Sequence, residues 1–338
     1  MASVGRTFCH GETVRAGIEA GARGFRLALG LHDRDHAEDF ALVRSAAAES
    51  GTAVSIMLDL PATRPRTGAM RPRLFSPGQR IILMDREDTG PDEHIVLPVP
   101  GLKQYTAAIK KGHRVLLRDG RQQFRVWRMD DTALHVECES CSEPVRAANA
   151  CTFPDSGLTF GPLRQEDWRL MEKLASQERR PDWVAASLVT SPEQVAEIRQ
   201  ALLGLWPERC PCIMVKVETR QALERIRGLL AVSDGCLLGR GDLGLAIPAE
   251  SLPKAQRRVV SEAQRQGKPV TVATQVFEHF ARTGQPYRAE LSDAALMVRQ
   301  GVDAVVLCSE TSDSERPVES IELLRKLIAT ESVDEDSC

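Results

Sequence analysis

From residue 153 onward, short apolar runs of strand length alternate with amphipathic stretches of helix length. The runs cover residues 182–189, 212–218, 234–239, 269–275 and 303–307, and a helical pattern follows each. Such alternation predicts βα units whose strands lie parallel in one sheet or barrel. The helices carry their own start signals. Ser191 stands at a capping position, Pro192 follows at the first helical position, and Gln194 completes a capping box. Val195, Ile198, Leu202 and Leu205 then form one apolar stripe. Ser292 and Asp293 open an Ala/Leu/Met/Val face in the same way, and Pro317 starts a helix bearing Val318, Ile321, Leu324 and Ile328.

The first third supplies three more strand patterns, at residues 7–10, 25–29 and 54–60, with helical patterns at 11–20 and 37–51. Three and five make eight, the number at which parallel βα units close into a (β/α)8 TIM barrel with function at the carboxyl ends of its strands. Between Gly68 and Thr152 the beat is lost. Alternating runs such as Arg80-Ile-Ile-Leu-Met and Arg114-Val-Leu-Leu-Arg are separated there by Pro-Gly and Asp-Gly turn signals. The expected organisation is a barrel in two parts, 1–68 and 153–330. A small β-rich domain at 69–152 is inserted as a lid on the catalytic face, and an acidic tail occupies 331–338.

Composition narrows the function classes. The 338 residues are 42% hydrophobic and 27% charged, which suits a globular chain with a large core. A net charge of -3 lacks the basic excess that phosphate-backbone binding exploits, so a nucleic-acid partner is not expected. No run approaches the roughly 20 apolar residues of a membrane span, and no signal-peptide pattern follows Met1, so a cytoplasmic protein is expected. The nine cysteines are scattered and odd in number, which argues for buried thiols rather than a disulfide framework. Cys138-Glu-Ser-Cys141 has zinc-knuckle spacing without a second Cys/His pair, and ordinary cysteine use is the favoured reading.

Four segments carry candidate chemistry. In Val215-Lys216-Val217-Glu218, strand alternation turns Lys216 and Glu218 to the same side at the end of an apolar run. An ammonium and a carboxylate so placed can stabilise a developing oxyanion and hold a metal ion, and the competing reading is a plain ion pair. Gly239-Arg240-Gly241-Asp242-Leu243-Gly244 lets the backbone approach a ligand, with free amides near Gly241 to receive a carboxylate and Asp242 beside Glu218 to ligate one cation. Hard oxygen donors favour Mg²⁺ or Mn²⁺. Val272-Ala273-Thr274-Gln275 and Pro286-Tyr287-Arg288-Ala289-Glu290-Leu291-Ser292-Asp293 look structural when taken singly.

Together, Lys-x-Glu, Arg-Gly-Asp-Leu-Gly, Gly267-Lys268-Pro269 leading into Ala-Thr-Gln, Arg-Ala-Glu-x-Ser-Asp and Ser309-Glu310-Thr311 occur in the order and spacing of pyruvate kinase, which the chain resembles. Leu58-Asp59-Leu60 through Arg66-Thr67-Gly68 and Gly24-Phe25-Arg26-Leu27 extend the likeness upstream, over residues 5–330 or so. The resemblance implies an (α/β)8 barrel with a β-rich lid. It implies that Lys216 neutralises an enolate oxygen or a transferring phosphoryl group, that Glu218 and Asp242 bind the divalent cation, and that Thr274 holds the substrate carboxylate. By the same likeness Arg26 contacts a substrate anion, Arg66 faces nucleotide phosphates, Gly241 and Ser187 join the substrate site, and Arg288 lies near a subunit interface.

The departures from the family pattern are selective. Where the family reads Asn-Phe-Ser-His after its early Arg-Leu, this chain has Ala28-Leu29-Gly30-Leu31, with no side-chain oxygen or nitrogen for K⁺ or ATP. Asp59 survives as a remnant of the K⁺ site. Lys-Gly-Pro-Glu becomes Pro61-Ala62-Thr63-Arg64, and Arg64 places a fixed charge where K⁺ would sit, so K⁺ is not expected to be required. Two lysines near the nucleotide are replaced within Ala147-Ala148-Asn149-Ala150-Cys151, and the chain stops where the family's regulatory domain begins. Enolate and metal elements remain while nucleotide elements have gone. The leading expectation is therefore a Mg²⁺-dependent lyase, aldolase or decarboxylase that forms the enolate of pyruvate, phosphoenolpyruvate or another small 2-oxoacid, working as a homo-oligomer, a dimer rather than a tetramer. The alternatives are an authentic pyruvate kinase using ADP and a non-catalytic binding protein.

Overall fold

A computed structural model describes residues 1–30, 34–90, 94–118 and 120–332. The expectations at Leu31 and over most of the acidic tail, 333–338, lie outside the described residues. Two compact units are present: Met1–Ala62 with Pro162–Gly244 and Ala249–Cys338, and Thr63–Gly161 with Leu245–Pro248.

The first unit is an eight-stranded parallel barrel ringed by helices. Its strands are β1 (Ala2–Ser3), β2 (Gly24–Ala28) and β3 (Ser55–Leu60), then β10 (Trp183–Ala186), β11 (Cys212–Val217), β12 (Gly235–Gly239), β13 (Val270–Ala273) and β14 (Ala304–Val306), hydrogen-bonded in that order. The seam closes through a parallel bridge from Ala2 to Leu307, and the Ser3 amide donates to the Leu307 carbonyl at 3.0 Å. Thr311 braces the same seam, its hydroxyl accepting from the Ser3 amide and donating to the Ser3 carbonyl, both at 2.9 Å. Between the strands run α1 (Gly11–Glu19), α2 (His36–Glu49), α3 (Gln165–Ser176), α4 (Pro192–Leu205), α5 (Arg220–Glu224), α6 (Ile226–Val232), α7 (Arg240–Ala246), α8 (Leu252–Arg265), α9 (Glu278–Thr283), α10 (Arg288–Arg299), α11 (Ser309–Ser312) and α12 (Pro317–Glu331). Apolar stripes such as Val195, Ile198 and Leu202 of α4 are fully buried, as a 3.6-residue period requires of a helix covering a sheet.

Three local expectations need correction. The first strand is Ala2–Ser3 and not residues 7–10; Gly5 to Phe8 form a turn closed by a bridge between its ends, with Phe8 buried against Phe25, and His10 already stands at the N-cap of α1. Ser191 does not cap α4 through its side chain, and Gln194 accepts from the Thr190 amide instead. The helix of the Arg-Ala-Glu segment starts at Arg288 rather than at Ser292, because Glu290 reaches back to the Tyr287 amide at 3.0 Å.

The second unit is a six-stranded sheet. Its strands β4 (Arg80–Met84), β5 (Val96–Pro98), β6 (Arg114–Leu117), β7 (Gln122–Met129), β8 (Ala133–Cys141) and β9 (Cys151–Thr152) lie in the order β5-β4-β8-β7-β6-β9, antiparallel except for β4–β5. Phe75, Phe124, Leu83, Val136 and Cys138 are among the residues of its core. The Cys138 thiol is pushed up to about 11 by burial, with the neighbouring Cys141 and Glu139 adding to the shift. Among the described residues no helix is long and apolar enough to cross a membrane.

Candidate functional site

The barrel interior is layered by strand alternation. Met57, Ala185, Met214, Leu237, Ala273 and Val306 form one buried apolar layer contributed by six strands. Side chains two residues apart on a strand share a face, so the next positions toward the carboxyl ends bring Asp59, Ser187, Lys216, Gly239 and Cys308 above that layer. An apolar floor thus carries a polar layer at the end of the barrel where βα loops gather.

Lys216 is the centre of this layer. Its ammonium lies 2.8 Å from Glu218 Oε1, 3.1 Å from Asp59 Oδ1 and 2.8 Å from Ser187 Oγ, with only 8% of the residue exposed. Asp59 is 3% exposed and is also engaged by Arg26, whose Nε donates to Oδ2 at 2.6 Å, and by the Ser187 hydroxyl at 3.2 Å. Arg26 Nη1 continues to Ser3 Oγ at 3.1 Å and to Cys308 Sγ at 3.8 Å. The second oxygen of Glu218 accepts from the Leu188 amide at 3.1 Å. Glycine at 239 makes room for this carboxylate, because a Cβ there would stand 2.7 Å from Glu218 Cγ and 2.9 Å from Oε1.

The charges do not balance evenly. Burial opposes ionisation of Asp59, but Lys216 and Arg26 outweigh it and hold the carboxyl below its usual range. Burial likewise disfavours the Lys216 ammonium, yet Asp59 and Glu218 overcome this and raise its pKa. Glu218 goes the other way. Burial pushes its carboxyl up more than Lys216 pulls it down, and Asp242 and Asp59 add to the push. Repulsion between Glu218 and Asp242 is what a divalent cation would relieve, so the donor set fits Mg²⁺ or Mn²⁺. No group of three or more His, Cys, Asp or Glu suited to a metal occurs among the described residues. A cation held by two carboxylates would draw its other oxygens from water and ligand, as Mg²⁺ commonly does.

Thr274 and Gly241 face each other. The Gly241 amide, expected to be free for a substrate carboxylate, instead donates to Thr274 Oγ1 at 2.8 Å, so a ligand binding there must displace that bond. The Cys308 thiol, in contact with Arg26 Nη1, is pushed up by burial. Arg64 and Arg66 belong to the second unit, where Arg64 donates to Thr152 Oγ1 at 3.2 Å and Arg66 to the Ala148 carbonyl at 2.9 Å.

Three contributors escaped the sequence reading. Ser3 and Cys308 contact Arg26, and Arg240 donates to the Thr274 and Gln275 carbonyls. Glu310, fully buried, accepts from the Val276, Phe277 and Cys308 amides and staples the ends of β13 and β14 together. The Ser-Glu-Thr motif pointed to Glu310 without giving it a role, whereas nothing in composition or spacing pointed to the contacts of Ser3.

The family model described as "Pyruvate kinase, barrel domain" matches residues 1–321. Curated relatives include a pyruvate kinase of Methylorubrum extorquens, 30% identical over 96% of this chain and 66% of its own length, and one of Thermotoga maritima, 30% identical over 94% and 67%. Against the "Pyruvate kinase 2" of a Synechocystis strain the chain spans 55% of the relative's length. A crystal structure of a pyruvate kinase from Cryptosporidium parvum superposes with a TM-score of 0.85 at 23% identity, over 99% of this chain and 69% of that one.

Proposed function

We propose, for a chain that belongs to the pyruvate kinase family, that its site transfers the phosphoryl group of phosphoenolpyruvate to a nucleoside diphosphate. The relatives' names favour this over the lyase or aldolase expected from the sequence, which becomes the second reading. The observation that carries it is the Lys216 ammonium, kept charged in a buried layer by Asp59 and Glu218. A fixed cation there offsets negative charge as it develops on the enol oxygen, in a setting where such offsets are strong.

In this mechanism the bond between phosphorus and the enol oxygen breaks as one forms to the terminal phosphate oxygen of the acceptor, and the enolate left behind takes a proton at its methylene carbon. Lys216 turns from Glu218 to the enol oxygen or the moving phosphoryl group, both of which carry the charge. Glu218 and Asp242 would hold Mg²⁺ or Mn²⁺, whose Lewis acidity polarises the oxygens it contacts. Arg26, anchored by Asp59, presents positive charge to the phosphate, while Thr274 with the freed Gly241 amide receives the substrate carboxylate. Arg66 is assigned to the nucleotide phosphates and Arg64 to the place of a monovalent cation, which leaves K⁺ dispensable.

The second reading keeps the enolate and omits the nucleotide. Ala28, the last residue of β2, and Gly30 just beyond it, both without polar side chains, favour it. The deciding experiment supplies phosphoenolpyruvate, ADP and Mg²⁺ without K⁺ and follows ATP, while a parallel NMR experiment follows exchange of pyruvate methyl protons for deuterium without nucleotide. ATP formation that falls by about 10²–10³ in Lys216→Met supports phosphotransfer. Exchange without ATP selects the second reading, and neither activity removes both.

A further inference from the structure

Thr274 and Gln275 have φ values of 74° and 54°, in the left-handed region that a β-branched residue enters with particular reluctance. Two such residues in succession persist only where their surroundings over-determine them. Here one buried side chain does so. Arg240, the first residue of α7 and 7% exposed, donates to the Thr274 carbonyl from Nε at 3.2 Å and Nη2 at 2.7 Å, and from Nη2 to the Gln275 carbonyl at 3.0 Å. Its Nη1 is anchored 2.5 Å from Asp293 Oδ2 in α10. A planar fork of donors can span two successive carbonyls and a carboxylate at once, which a single ammonium cannot.

We infer that Arg240, anchored by Asp293, is a positioning residue that holds the Thr274–Gln275 turn left-handed and thereby aims Thr274 at the ligand. The turn sets the contact between Thr274 Oγ1 and the Gly241 amide, at 2.8 Å. Without the clamp, the turn relaxes toward negative φ and Thr274 Oγ1 swings off the Gly241 amide. Asp293 takes its place in the site through Arg240, so α10 supports the mouth of the barrel from outside. The inference rests on the proposed reaction only for the activity that is measured.

The test compares Arg240→Gln, Arg240→Lys, Asp293→Ala and Arg240→Gln combined with Gln275→Gly in the full chain, with folding checked by circular dichroism. Glycine enters positive φ without penalty, so it replaces the clamp if the clamp's work is conformational. The expected result for Arg240→Gln is a loss of about 10- to 100-fold in kcat with KM for phosphoenolpyruvate changed far less, the scale of a small misplacement. Amide hydrogen exchange at Gly241 should rise about tenfold or more, because its acceptor has moved. Arg240→Lys should fail to rescue, Asp293→Ala should show part of the loss, and Gln275→Gly should restore both readouts. Unchanged Gly241 exchange in Arg240→Gln, or no recovery on adding Gln275→Gly, overturns the inference. Should Arg240→Gln not fold, the same comparison runs on Asp293→Ala with and without Gln275→Gly. If the wild type turns over no substrate, the functional reading falls while Gly241 exchange still decides the clamp.

Discussion

Replacing Asp59 by Asn tests whether the polar layer is an energetic unit. The carboxylate is 3% exposed and accepts from Arg26 at 2.6 Å, Lys216 at 3.1 Å and Ser187 at 3.2 Å. Removing one partner of a buried pair costs about 3–5 kcal/mol, since the other charge stays behind. Asparagine keeps one acceptor oxygen and Glu218 still faces Lys216, which points to the lower end, about 3 kcal/mol. An exposed rim carboxylate would be worth about 1 kcal/mol or less. Trp168, Trp183 and Trp206 lie in the barrel unit and Trp127 in the other, so urea unfolding in a Trp127→Phe background lets fluorescence report the barrel alone. The folded-state pKa of Asp59 is depressed, so its contribution is complete above the unfolded value of about 3.9 and fades as pH falls through the folded value. The gap between wild type and Asp59→Asn should therefore be full at pH 7 and shrink on acidification below about pH 3.9. A gap under about 1 kcal/mol at pH 7, or one that widens in acid, would refute the reasoning.

Glu218 gives the opposite sign. Its folded pKa lies above the unfolded one, so the ionised carboxylate weakens the fold at high pH and the handicap disappears below about pH 4.3. Glu218→Gln should melt higher than the metal-free wild type at pH 8, with the difference closing toward pH 4; a lower melting temperature at pH 8 would contradict this. Mg²⁺ at a hundredfold excess over its Kd should stabilise the wild type by about 2.7 kcal/mol, and Glu218→Gln should lose that response. Gly239→Ala drives a methyl into the space of the Glu218 carboxylate and should abolish the same Mg²⁺ response, at a cost of about 1–3 kcal/mol in the melt. Retention of the wild-type response in calorimetry would show that Glu218 is not a ligand.

Much of this layer was legible because strands alternate. Lys216 and Glu218 sit two apart in an apolar run, which was enough to place them on one side of a strand end. Asp59 was noticed only as a possible cation ligand, because its partners come from β2 and β11, 33 and 157 residues away, and no local pattern records such distances. Arg240 was passed over for a different reason. Its acceptors are backbone carbonyls, made available by positive φ values at a threonine and a glutamine that composition assigns to ordinary strand. The first strand was misplaced because two residues, Ala2 and Ser3, are too few to show a period, while Phe8 in the following turn supplies the apolar signal.

The seam between β1 and β14 joins Ser3 to residues as far as 308 positions along the chain. A polypeptide growing from its amino end at about 5–20 residues per second must wait on the order of 15–60 s between making one edge and making its mate. Through that interval the cylinder is an open sheet, and closure comes last in the order of assembly. The brevity of β1 then has a use of its own. Two residues offer a passing strand little to pair with along that edge.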